Sequence, residues 1–182
     1  MRSNCETVDI ARHMNHDSAM THMAMAIANE FLKRALADGV SLTNMHVQKL
    51  VYIAHGWNLA VNNEPLIDEP FLAWDYGPVA RSLFDAMRPY GAGRIPRLLR
   101  KGDDTPNIQS DDGDTVFANL TGREADAIDQ IWREFKNFKA FQLSELTHKP
   151  GSPWSSAYRK GQNALIANTS IQDYFSVLAD AP

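Results

Sequence analysis

From Thr21 onward, apolar residues return at helical intervals. Met23, Ile27, Phe31 and Ala35 repeat every four positions, Ala24, Ala28, Leu32 and Leu36 widen the stripe, and Gly39 stands where a C-cap glycine belongs. A second helix is predicted to start at Thr43 as N-cap. Val47, Leu50, Val51, Ala54, Trp57 and Val61 share one of its faces, and Ile53 and Ala60 carry the apolar surface further round. So wide an arc predicts a central helix flanked on several sides. Gly56 inside it is unfavourable by about 1 kcal/mol relative to alanine, which points to close packing of another element there. After Pro65 and Pro70, the short aromatic run Phe71–Asp75 reads as a strand. Tyr76-Gly77-Pro78 reads as a turn, and Pro78 as the opening of a helix through Arg88 with Val79, Leu83, Phe84 and Met87 on one face.

The pattern dissolves between Pro89 and Asn119, where glycines and prolines accumulate. One or two short strands, around Ile108 and around Val116–Phe117, are expected there, with a mobile tip between them. Order returns at Thr121-Gly122-Arg123-Glu124, a capping box, with Ala125, Ile128, Ile131, Trp132 and Phe135 on one face. A short helix over Ala140–His148, a Pro150–Pro153 turn and a brief helix over Trp154–Tyr158 follow. Thr169 and Gln172 repeat the capping-box spacing ahead of a last helix carrying Ile171, Phe175 and Leu178. The expected fold is mainly α within the α+β class: a compact helical domain over 21–182 with a small antiparallel sheet of a few short strands. Residues 1–20 are polar and unpatterned and read as a flexible N-terminal arm. Five of the seven methionines (Met1, Met14, Met20, Met23, Met25) fall in or just after it, which leaves a later translation start as the alternative to a disordered lead-in.

Composition narrows the function classes. A chain of 182 residues with 44% hydrophobic and 22% charged residues is an ordinary globular protein, able to bury a core without staples. The single cysteine, Cys5, excludes an intramolecular disulfide and any cysteine-built zinc site and fits a reducing cytoplasm. The longest promising uncharged stretch, Leu50 to Asn63, is too short to span a bilayer, so no membrane partner is expected. A net charge of −4 argues against nucleic acid as a partner. The basic cluster Arg94, Arg97, Arg100 and Lys101 runs into five aspartates, the pattern of a solvated, self-compensating segment, and no helix-turn-helix with a basic recognition helix is visible.

Catalytic and metal signals are sparse. There is no Gly-rich phosphate loop, nucleophile elbow or paired metal-ligand histidine set. His13 and His16 lack a third ligand, and Glu145 and His148, at i and i+3, lack the second carboxylate set a di-metal site needs. Gln48, Tyr52 and His55 share one helix face, with Lys49 adjacent. A catalytic His55 would need a placed nucleophile or carboxylate, so a buried histidine hydrogen-bonded to backbone is the expected reading. No catalytic residue, metal or cofactor is assigned.

The residues themselves carry a resemblance. The runs Val47-Gln48-Lys49-Leu50-Val51-Tyr52-Ile53-Ala54-His55-Gly56-Trp57, Pro65 to Phe71 and Ala73-Trp74-Asp75-Tyr76-Gly77-Pro78-Val79 resemble the signature of the Panacea domain, the SocA-like antitoxin family with its phage-associated, GepA-like members. Gln142 to His148, then Ser152-Pro153-Trp154 and Ala157-Tyr158, are similar to that family's second block. The resemblance implies an antitoxin that neutralises a cognate protein toxin by direct contact. Its alternative is an adaptor that delivers a toxin to a ClpXP-type protease, and a small hydrolase using His55 or His148 is the remaining class. The family has no established catalytic residues to carry over. Gln48, Tyr52, His55, Gly56, Trp57, Trp74, Gly77, Pro78, Glu145, His148 and Trp154 are therefore expected to specify the fold, with Trp74 and Trp154 burying large area. Partner contacts are expected in the Asp68–Pro78 segment (Asp68, Glu69, Asp75, Tyr76) and the arginine loop (Arg94, Arg97, Arg100).

Overall fold

The computed structural model describes residues 21–104 and 114–181. The expected N-terminal arm, and the strand expected around Ile108, lie outside the described residues.

Helix α1 (Ala24–Asp38) ends on Gly39, whose φ of 68° is the left-handed C-cap that glycine accommodates. Helix α2 (Asn44–Asn62) starts from Thr43, whose hydroxyl and backbone N–H both engage His46 Nδ1, at 2.9 and 3.1 Å. Its residues Val47, Leu50, Val51 and Ala54 are buried, and α2 contacts α1, helices α3, α4 (Gly122–Phe135), α5 (Ala140–Thr147) and α7 (Asn168–Ala179), and the sheet, as its wide apolar arc predicts. A Cβ built at Gly56 would lie only 2.4 Å from ring carbons of Phe175 on α7. The missing side chain is what lets the two helices approach. The apolar stripes are not buried to their edges: Leu36, Val61 and Leu178 are exposed.

The sheet has the order β2-β1-β3, all antiparallel. Strand β1 (Phe71–Trp74) pairs with β2 (Gly77–Ala80) in the register Phe71↔Ala80 to Trp74↔Gly77, so Asp75 and Tyr76 form the two-residue tip of a hairpin. The helix expected from Pro78 begins only at Arg81, as α3 (Arg81–Met87), followed by a 3₁₀ turn over Arg88–Tyr90. Pro78 is compatible with a strand because β2 is an edge, where a missing N–H costs no ladder bond. Strand β3 (Leu165–Ile166), which carries no periodicity to announce it, pairs with Phe71 and Leu72. It also displaces the expected cap of the last helix: the chain stays extended through Ala167, helix α7 begins at Asn168, and Thr169 lies inside its first turn.

The capping box at Thr121 forms as expected, with Glu124 N–H donating to Thr121 Oγ1 at 3.3 Å and Thr121 N–H to Glu124 Oε2 at 2.7 Å. In place of a strand at Val116–Phe117 there is a single bridge between Arg100 and Thr115. Buried Asn29 organises this region: its Nδ2 donates to Leu99 O (2.8 Å) and Val116 O (2.7 Å), and its Oδ1 accepts from Leu99 N–H at 2.7 Å. One side-chain amide thus does there what a third strand would otherwise do. Among the described residues no helix is long and apolar enough to cross a membrane.

Candidate functional site

The residues singled out in sequence divide between two levels of one structure, a buried polar layer on α2 and an exposed aromatic face around the β1–β2 hairpin. Gln48 holds the hairpin from below, with Ala80 N–H donating to its Oε1 (3.0 Å) and its Nε2 donating to Ala80 O (3.2 Å). One residue along, Lys49 is 1% exposed and donates to Pro78 O at 3.1 Å. Burial pushes its ammonium down from 10.5 to about 7. Gly77 has a φ of 106°, and a Cβ there would meet Lys49 Cε at 2.6 Å and Thr147 Oγ1 at 2.8 Å. Both conformation and space demand glycine at this turn.

His55 is fully buried. Its Nδ1 accepts from Ile67 N–H at 3.3 Å and its Nε2 pairs with Asn168 Oδ1 at 3.0 Å, which fixes the neutral Nε2–H tautomer. Burial holds its pKa below the ordinary histidine value. With both nitrogens committed, His55 braces α2 against α7 and has no free atom for acid–base work. His148 ends α5, its ring edge-on to Trp154 at 3.8 Å between centroids, and its Nε2 is buried with no partner among the described residues. Burial, then the charge of Lys49, lowers its pKa. Glu145, one turn back, is exposed.

Above this layer sits the aromatic face. Trp154 Nε1 donates to Trp74 O at 2.9 Å, and Trp154 stacks on Tyr158 with centroids 4.8 Å apart. Trp74 meets Phe84 edge-on at 4.8 Å, and Arg81 lies 5.9 Å over the Trp74 ring. Both Trp74 and Trp154, expected to bury large area, are half-buried, as is Trp57; the tryptophan in the core is Trp132, whose Nε1 donates to Asp38 at 3.0 Å. At the tip, Asp75 accepts from Tyr158 Oη (2.7 Å) and Gln162 Nε2 (3.0 Å), and Ser144 Oγ donates to Tyr76 O at 2.8 Å. These bonds pin the backbone, yet the Tyr76 side chain is 64% exposed and Phe141, one turn before Ser144, is 63% exposed. Phe141 was not legible as a candidate: a single aromatic at the start of a short helix gives no sign of which way it faces.

The other sequence candidates do not converge there. Asp68 is exposed, and Glu69 works for the fold: its Oε2 accepts from Ala24 N–H (2.8 Å) at the start of α1 and its Oε1 accepts from Ser82 Oγ (3.1 Å). Burial, then a hydrogen bond with Asp68, pushes the Glu69 carboxyl up to about 7. Arg94 is exposed beside Thr43, in a segment tied to the start of α2 by the 2.8 Å bond from Ile95 N–H to Leu42 O. Arg97 closes a two-pronged ion pair on Asp103 at 2.9 and 3.1 Å, and Arg100 N–H donates to the same carboxylate at 2.8 Å. Among the described residues, no three histidine, cysteine or acidic side chains come together as a metal-binding group.

A family model described as "Antitoxin SocA-like, Panacea domain" matches residues 47–155, a stretch that runs from α2 through the hairpin to α6 (Pro153–Tyr158) and so contains both levels of the site. Antitoxin SocA of Caulobacter vibrioides (strain NA1000 / CB15N) is 30% identical over 132 residues, which cover 72% of this chain and 68% of the relative. No solved structure matches the chain. On the strength of these two matches the chain belongs to the SocA-like antitoxin family, and residues 47–155 are its Panacea domain.

Proposed function

We propose that this protein is the antitoxin of a toxin–antitoxin pair, acting in the cytoplasm by stoichiometric binding of a cognate protein toxin, with the hairpin-tip aromatic face as the contact surface. The observation that carries this reading is the pairing of exposure with rigidity. Tyr76 and Phe141 present aromatic side chains to solvent, and the tip that carries Tyr76 is held by Ser144 on the Tyr76 carbonyl and by Tyr158 and Gln162 on the Asp75 carboxylate. Pre-positioned aromatic residues lose little entropy on binding and are over-represented among the few residues that dominate interface energies. Both ring nitrogens of His55 are taken up by hydrogen bonds within the fold, which favours binding over chemistry there.

Co-expression with the protein encoded beside this one, scored by growth rescue and co-purification, tests the proposal. Tyr76→Ala and Phe141→Ala should each weaken the complex by about 10- to 100-fold, the range of an interface anchor, while leaving the melting temperature unchanged. Rescue should saturate near a 1:1 ratio. Wild-type affinity in a well-folded double variant would move the contact surface elsewhere. Repeating the rescue in cells lacking a ClpXP-type protease separates masking, which survives, from delivery for degradation, which does not.

A further inference from the structure

A cleft of about 430 Å³ opens between α2, α4, α7 and the turn joining α5 to α6. Its wall reaches core depth, since Tyr52, Ile131 and Phe175 all line it and are at most 6% exposed. Trp57, Phe135 and Phe138 add three more aromatic rings. Interiors are normally packed without voids of this size, because lining atoms lose their dispersion partners. Ligand pockets, by contrast, are clefts of about 300–1,000 Å³, mostly apolar, with a few placed polar groups.

The Thr147 and Ser152 hydroxyls in the lining donate to backbone carbonyls, to Ser144 O and Thr147 O, and Gln130 is exposed; two phenols remain. Tyr52 and Tyr174 both line the cleft, and neither hydroxyl is hydrogen-bonded among the described residues. The mouth carries one cation and one anion, Lys149 and Glu134, so it selects for neither sign of charge.

We propose that this cleft is a binding site for a neutral, planar aromatic small molecule of two or three rings that bears a hydrogen-bonding oxygen or nitrogen. The size follows from volume: an apolar cavity of about 150 Å³ takes one benzene ring, and this cleft offers close to three times that. The rings of Trp57, Phe135 and Phe138 flank the ligand, and its polar atom meets the idle phenols of Tyr52 and Tyr174. The ligand, inserted between α2, α4 and α7, contacts all three helices.

The test is a titration of the full-length protein with 2-naphthol, followed by tryptophan fluorescence and by calorimetry, with naphthalene as the comparison lacking a polar atom. Saturable 1:1 binding of 2-naphthol is expected. Ile131→Trp, which fills the cleft, should weaken it at least 10-fold. Should that variant fold poorly, Leu178→Trp at the half-exposed rim narrows the mouth and should weaken binding by a similar factor. Tyr52→Phe should weaken 2-naphthol about 5- to 10-fold, the worth of one hydrogen bond, and leave naphthalene unchanged. Absence of saturable binding up to the solubility limit, or binding that a folded filling variant leaves intact, overturns the proposal. Equal loss of 2-naphthol and naphthalene in Tyr52→Phe overturns the role of the phenols.

Discussion

Lys49→Met removes an ammonium from beneath the hairpin and keeps an unbranched side chain of similar length. The lysine is 1% exposed, and its one hydrogen bond among the described residues is to a neutral carbonyl, Pro78 O. Its pKa falls from 10.5 in the open chain to about 7 in the fold, with burial as the cause. The sign follows directly: between those two values the unfolded chain binds the extra proton, so stability rises with pH across that window and is flat below it. One pKa unit is worth about 1.4 kcal/mol, which makes the whole displacement about 5 kcal/mol and the part between pH 6.5 and 9.5 about 3 kcal/mol. The methionine variant forfeits the hydrogen bond, about 1 kcal/mol, and escapes the desolvation penalty. It should be more stable than wild type near neutrality, with the advantage shrinking as pH rises. Urea denaturation of both proteins across that range measures the difference, and subtraction removes groups common to both, including Glu69, which titrates near 7. A stability difference that stays constant from about pH 6.5 to 9.5 would refute a buried ammonium with a displaced pKa.

Three further outcomes are expected. Gly56→Ala places a methyl 2.4 Å from Phe175 ring carbons and should destabilise by about 1–3 kcal/mol, read as a lower urea midpoint at unchanged slope. Asn29→Ala leaves the Val116 carbonyl and the Leu99 N–H unpaired in the interior, while the Leu99 carbonyl keeps the Val116 N–H at 3.2 Å; the cost is about 2–4 kcal/mol, and amide exchange should show the backbone around Leu99 and Val116 opening before the rest. His55→Gln, which retains hydrogen bonding without acid–base capacity, should still rescue growth in the co-expression assay if it folds; loss of rescue with retained toxin binding would give His55 a chemical role.

Helix positions were readable in sequence where one local pattern decides them. Gly39 and Thr121 marked their helix ends, and the wide apolar arc of α2 announced a helix surrounded by others. What the sequence hid depends on pairing at a distance. Pro78 carries a helix-start signal, yet Trp74↔Gly77 pairing makes it a strand; Thr169 carries a cap signal, yet β3 pairing with β1 moves the helix start to Asn168. Lys49 could be placed next to the Gln48–Tyr52–His55 face, but not its burial, because nothing local says that Pro78 and Gly77 will close over it. The same holds for the site: Tyr76 could be proposed from its place in a turn, whereas the helix that carries Phe141 is tied to the hairpin only through the Ser144–Tyr76 bond.

The bond between His55 and Asn168 spans 113 residues, and Phe175 closes over Gly56 from still further along the chain. The central helix is therefore made long before the contacts that finish its burial. At synthesis rates of about 5–20 residues per second, α2 waits roughly 6–20 s for the helix that covers it. During that interval its apolar flank is open to chaperones, proteases and other nascent chains. A message cut short before α7 yields a chain that carries every residue of the 47–155 family match but has no cover for its central helix. Quality control would meet it as a chain with an open core, so protection would arrive with α7.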